Sequence, residues 1–138
     1  MTLALHPEQS AEISISPRDE RQAAVAAWVA AAFVINQVND VHQTAVRLLE
    51  EAIELYQAAG GHPDMAMDLV DYIFHRPVGE LKRELGGLGI TLLAMAEAAG
   101  VSADECEKAE FARVLSKPLE HFKKRNEEKN AAGFEVVS

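Results

Sequence analysis

The chain has 138 residues, a formal net charge of −9 and one cysteine. That length fits a single domain with room for a core, and the acidic balance argues against broad affinity for nucleic acid or anionic membranes, whose phosphates are bound mainly by Lys and Arg. A lone Cys106 excludes an intrachain disulfide and a cysteine-based zinc site.

Apolar residues make up 49% of the chain and aromatic ones only 6%, and this bias toward Ala and Leu favours helix over sheet. No Lys or Arg precedes Arg18, and the longest apolar run, residues 23–35, is shorter than the roughly 20 residues a bilayer span needs. These features predict a soluble cytoplasmic protein. Seven of the thirteen basic residues fall between Lys108 and Lys129, so an acidic chain carries a basic final segment.

Residues 1–15 lack a helical period and read as a flexible N-terminal arm. Ser16-Pro17-Arg18-Asp19 has the form of a helix start, with Ser as N-cap, Pro at the first helical position and acids in the first turn. The first helix is expected from Pro17 to Ile35, apolar on nearly every face beyond Ala23, with Trp28 and Phe33 as bulky anchors. Asn36 to Asp40 carries cap and turn residues.

A second helix is expected from Val41 to Ala59, stopped by Gly60-Gly61 and Pro63. At about 100° per residue its apolar positions fill half the circumference, and Glu50, Glu51 and Glu54 gather on the other side beside Arg47. A short third helix fits Pro63 to His75. The stripe Leu81, Leu85, Leu88, Leu92, Met95, Ala99 marks a fourth, ended by Gly100. Ser102 with Glu105 forms a capping box that opens a last helix, in which Pro118 should make a kink or break. The expected fold is an all-α bundle of four to five helices, with residues 16–130 as one domain and 131–138 as a frayed tail. The nearly all-round apolar first helix calls for an oligomer.

Two readings fit Glu50, Glu51 and Glu54. They form a solvated face relieved by Arg47, or they converge with another helix on a divalent cation such as Mg²⁺, which a few carboxylates and substrate phosphates suffice to hold. The fourth helix places Gly86, Gly87 and Gly89 in its interior, where each costs about 0.8–1 kcal/mol relative to Ala. Either a neighbouring backbone packs closely there, or a ligand needs room beside Glu84. The five histidines lack ligand spacing, and no nucleophile elbow or phosphate-cradling loop is present.

The ordered set Arg47-Leu-Leu-Glu50-Glu51-Ala-Ile-Glu54-Leu, then Asp71 to Gly79, then Glu84-Leu-Gly-Gly87-Leu-Gly-Ile-Thr91, and Ala112-Arg113-Val114 with Lys117 resembles the MazG-like all-α nucleoside triphosphate pyrophosphohydrolases, in particular small phage-type members. The resemblance spans roughly residues 25–129. It implies hydrolysis of an NTP or dNTP between the α and β phosphates, giving a monophosphate and pyrophosphate, with Mg²⁺ (or Mn²⁺) as cofactor and a dimeric or tetrameric assembly. It also implies Glu51, Glu54 and Glu84 as metal ligands, with Gly87 standing where the family has an Asp.

In this scheme Glu50 orients or deprotonates the attacking water. Lys117, Arg113 and Lys124 neutralise the leaving pyrophosphate, and Trp28 and Phe33 either stack on the base or pack in the core. The departure at Gly87 leaves a second reading, a catalytically impaired helical module that binds nucleotide or a protein partner.

Overall fold

The computed structural model describes residues 16–33 and 40–134, and every element among them is helical. The expected arm at 1–15 and most of the turn before Asp40 lie outside the described residues. Six α-helices follow in order: α1 (Pro17–Ala32), α2 (Val41–Ala58), α3 (Pro63–Phe74), α4 (Leu81–Ala99), α5 (Ala103–Leu115) and α6 (Leu119–Lys129). Asn130–Phe134 follows α6 with a kink at Gly133, whose φ is 93°, within a stretch expected to fray.

Local chemistry sets these boundaries. Ser16 Oγ accepts from the Asp19 amide at 3.1 Å, and Ser102 Oγ accepts from the Glu105 amide at 3.2 Å, so both predicted N-caps form. Asp40 caps α2 by accepting from the amides of His42 and Gln43. The His62 ring does the same for α3, accepting from the Asp64 amide at 3.2 Å. Gly100 closes α4 in the left-handed region at φ 70°. Pro118 divides the expected last helix into α5 and α6, because it has no amide to donate and sits in extended geometry as the α6 N-cap.

Between α2 and α3 the Tyr56 hydroxyl grips the turn from both sides, donating to the His62 carbonyl at 3.0 Å and accepting from its amide at 3.1 Å. A Cβ at Gly61 would overlap the Tyr56 ring, which accounts for the second glycine of that turn.

Long-range packing is sparse. α1 lies on α6, and α4 touches α5 across a bend of 98°. Among the described residues only Ala32 and Phe122 are buried, both at the α1–α6 seam. There the Trp28 ring meets Phe122 edge-on at 4.9 Å and Phe33 at 5.8 Å. Neither α3 nor α4 packs extensively on α2, and their apolar faces are largely exposed. No single helix among the described residues is long and apolar enough to cross a membrane.

A second tie joins the start of α1 to the start of α5. Arg21 reaches Asp104 and also donates to Glu107 at 3.0 Å, while Lys108 pairs with Asp104 at 2.8 Å. Hydrogen bonds first from Lys108 and then from Arg21 hold the Asp104 carboxyl down at about 2. An acid whose pKa is lowered by folding contributes stability that is complete above its ordinary value of 3.8 and is lost as pH falls through the folded value. Acid unfolding of the wild type between pH 5 and pH 2 should therefore lose this contribution, while Asp104→Asn, weaker at neutral pH, should fall less steeply. Thermal melts across that range check the difference in slope.

Candidate functional site

The chemistry gathers in a cleft of about 270 Å³ where α2, α5 and α6 meet the end of α1. From α2 come Arg47, Glu50, Glu51 and Glu54; from α5, Glu110, Arg113 and Val114; from α6, Phe122, Arg125, Asn126 and Lys129; Trp28 and Phe33 close one end. On α2 the spacing 47, 50, 51, 54 is one helical face. The α6 positions 122, 125, 126 and 129 repeat the same pattern, so two faces of like spacing look at each other.

Several charges in this cleft have an identifiable hold. Arg47 lies over the Phe33 ring at 4.6 Å and donates to the Asn126 side chain, bridging the end of α1 to α6. Burial pushes the Arg47 pKa down, and the nearby Glu50 charge opposes that shift. Lys129 Nζ donates to Glu50 at 2.8 Å, with both side chains about one third exposed.

Arg113 makes a two-pronged pair with Glu110, through Nε at 2.9 Å and the terminal nitrogen at 2.6 Å. The hydrogen bonds from Arg113 lower the Glu110 pKa, and those same bonds, with a smaller contribution from Glu51, raise that of Arg113. The Trp28 indole N–H is buried without a hydrogen-bond partner among the described residues.

Of the residues singled out from the sequence, Glu50, Glu51, Glu54, Arg113, Trp28 and Phe33 line this cleft. Glu84, Lys117 and Lys124 do not. Glu84 belongs to the first turn of α4, where an acid is favoured by the helix dipole. Its carboxylate folds back against Gly79 so closely that a Cβ there would overlap it. Lys117 lies in the turn after α5, its amide donating to the Val114 carbonyl at 3.2 Å. Cys106 is exposed on α5.

Sequence reasoning did not assign Arg47, Glu110, Phe122, Arg125, Asn126 and Lys129 to the site. The usable signal was the repeat of three and four on α6, in register with that on α2.

Glu84 lies apart from Glu51 and Glu54, so the expected set of Mg²⁺ ligands is not assembled among the described residues. Among the described residues no three His, Cys, Asp or Glu side chains converge in a way that could hold a metal ion. Glu51 and Glu54 face the cleft without Glu84, and Gly87 offers only a carbonyl, which already accepts from Thr91 Oγ1 at 2.9 Å.

No protein-family model matches the chain, no curated protein matches its sequence, and no solved structure matches its fold.

Glu110 occupies the two Arg113 donors that an incoming phosphate would use. Glu110→Gln should release Arg113 and strengthen binding of inorganic pyrophosphate severalfold, while Arg113→Ala should weaken it by a comparable factor. Titration calorimetry of the two variants against wild type measures both shifts, and their opposite signs are the diagnostic.

Proposed function

We propose that the chain is a nucleoside triphosphate pyrophosphohydrolase, converting an NTP or dNTP to the monophosphate and pyrophosphate. The observation that carries this reading is the composition of the cleft: four cations, Arg47, Arg113, Arg125 and Lys129, beside four carboxylates and an aromatic end wall of Trp28, Phe33 and Phe122. Phosphate oxygens want the cations, a planar base suits the aromatic wall, and an attacking water needs a carboxylate to orient it. The ordered Glu50, Glu51, Glu54 and Glu84 set and its likeness to MazG-like enzymes support the same assignment.

In this reading the triphosphate draws Lys129 away from Glu50 and Arg113 away from Glu110. Glu50 is then free to accept a proton from the water. The water oxygen bonds to the α phosphorus, the bond to the bridging oxygen breaks, and pyrophosphate leaves with its charge on the released cations.

A second reading has its own support. Among the described residues the carboxylates form no metal-holding cluster, and Gly87 stands where the resembled family has an Asp, as in a helical module that binds nucleotide without turning it over.

Pyrophosphate release from a panel of NTPs and dNTPs with Mg²⁺ tests the enzyme reading. Wild type should release pyrophosphate, and Glu50→Gln should lose about 100-fold or more. No release from any nucleotide, or equal release by the variant, sinks it.

The module reading predicts a nucleotide-dependent rise in melting temperature without release. Under it Gly87→Asp should create activity in an inert wild type.

A further inference from the structure

The tie between α1 and α5 and the cleft stand at two ends of one seam. Arg21 donates through one terminal nitrogen to Glu107 at 3.0 Å and through the other to Asp104, and its side chain is only 13% exposed. Seven residues further along each helix come Trp28 and Val114, and both line the cleft. Seven residues are close to two full turns, so the members of each pair share one helical face, separated by a rise of roughly 10 Å. α1 and α5 therefore run in the same direction from the tie to the cleft. The tie fixes which turn of α5 stands opposite which turn of α1.

Other constraints on that register are few. Among the described residues every ion pair that α5 makes to another helix goes to Arg21 or to Arg18, which lies 3.5 Å from Glu107. At the cleft end Arg113 pairs with Glu110 inside α5. α1 lies on α6 and α4 touches α5, but α1 and α5 have no such extended contact. Arg21 suits the task by shape: its planar fork offers donors to two separate carboxylates, whereas a lysine ammonium is a point charge. Asp104 and Glu107, three residues apart, are neighbours on the helix surface, so the fork is filled in one register only.

We propose that Arg21 is a positioning residue for the cleft: by holding Asp104 and Glu107 together it sets the spacing between the aromatic wall on α1 and the Arg113 arm on α5, and with it the affinity of the cleft for a diphosphate. The effect on the diphosphate rests on the pyrophosphohydrolase reading; the spacing does not. Arg21 is not among the residues that line the cleft, so its control is exerted two helical turns away from the ligand.

The chain has one tryptophan, on α1, and one cysteine, exposed on α5. Energy transfer from Trp28 to an acceptor dye on Cys106 therefore reads the α1–α5 spacing in the full-length protein. Arg21→Ala should lower the transfer and, in unlabelled protein, weaken binding of inorganic pyrophosphate severalfold by calorimetry. Arg21→Lys should fall between alanine and wild type. Arg21→Glu should be worse than alanine, and adding Glu107→Arg to it should return both readings toward wild type. Raising NaCl should lower the transfer in wild type and leave that of Arg21→Ala unchanged, because the tie is ionic and partly open to solvent. All variants are compared well below their melting temperatures, at wild-type helical content by circular dichroism.

Transfer unchanged in both Arg21→Ala and Arg21→Glu overturns the proposal, as does a fall in transfer that leaves pyrophosphate affinity at the wild-type value. A wild type that binds no pyrophosphate refutes the pyrophosphohydrolase reading, and the transfer with its charge-swap rescue then decides the spacing by itself. Where Arg21→Ala does not fold, Arg21→Lys against wild type carries the same two outcomes.

Discussion

The edge-on contact of Trp28 with Phe122 is an apolar junction that joins distant parts of the chain. It brings α1 onto α6 and covers Ala32 and Phe122. The cleft is a consequence of this seam, since its aromatic wall is the same three rings. α2 is added to the seam by polar pins: Arg47 over Phe33 and onto Asn126, and Lys129 onto Glu50. Aromatic pairs of this kind contribute about 0.5–1.5 kcal/mol beyond the area they bury, and partly exposed ion pairs about 1 kcal/mol or less. The side of the cleft that carries the carboxylates is thus held less firmly than the side that carries the rings.

That asymmetry suits a site whose charges must change partners. Glu50, Glu51 and Glu54 repel one another on one helical face, and Lys129 on Glu50 and Arg113 on Glu110 relieve the excess of negative charge. Glu51 and Glu54 make no direct ion pair or hydrogen bond among the described residues, although Arg113 lies close enough to Glu51 to feel its charge. An anionic ligand entering here exchanges one set of anions for another on the same cations, so the net Coulomb change is small and geometry decides which anion is preferred.

What could be read from the sequence was what is encoded locally. Ser16, Ser102, Gly100 and the Gly60-Gly61 pair mark helix ends through bonds spanning a few residues, and Pro118 breaks a helix wherever the rest of the chain lies. The face of α2 with Glu50, Glu51 and Glu54 follows from helical periodicity. The basic segment was another matter, because Pro118 resets the helical phase between α5 and α6. No count from Arg113 can tell whether Lys124 or Arg125 turns toward α2, and the cleft takes Arg125 and Lys129. Glu84 failed to join the cleft for a different reason: its placement depends on the path of α3 and α4, which is set by packing at long range and not by any cap.

The helices themselves are 11 to 19 residues long, a length at which isolated helices are marginal in water and draw most of their stability from a covered apolar face. α4 also carries three interior glycines, together unfavourable by about 2–3 kcal/mol relative to alanines. Among the described residues α4 touches α5 and packs little elsewhere. The cleft therefore owes its aromatic side to the seam of Trp28 and Phe122 and its carboxylate side to the polar pins of Arg47 and Lys129, and a change on the exposed stripe of α4 touches neither.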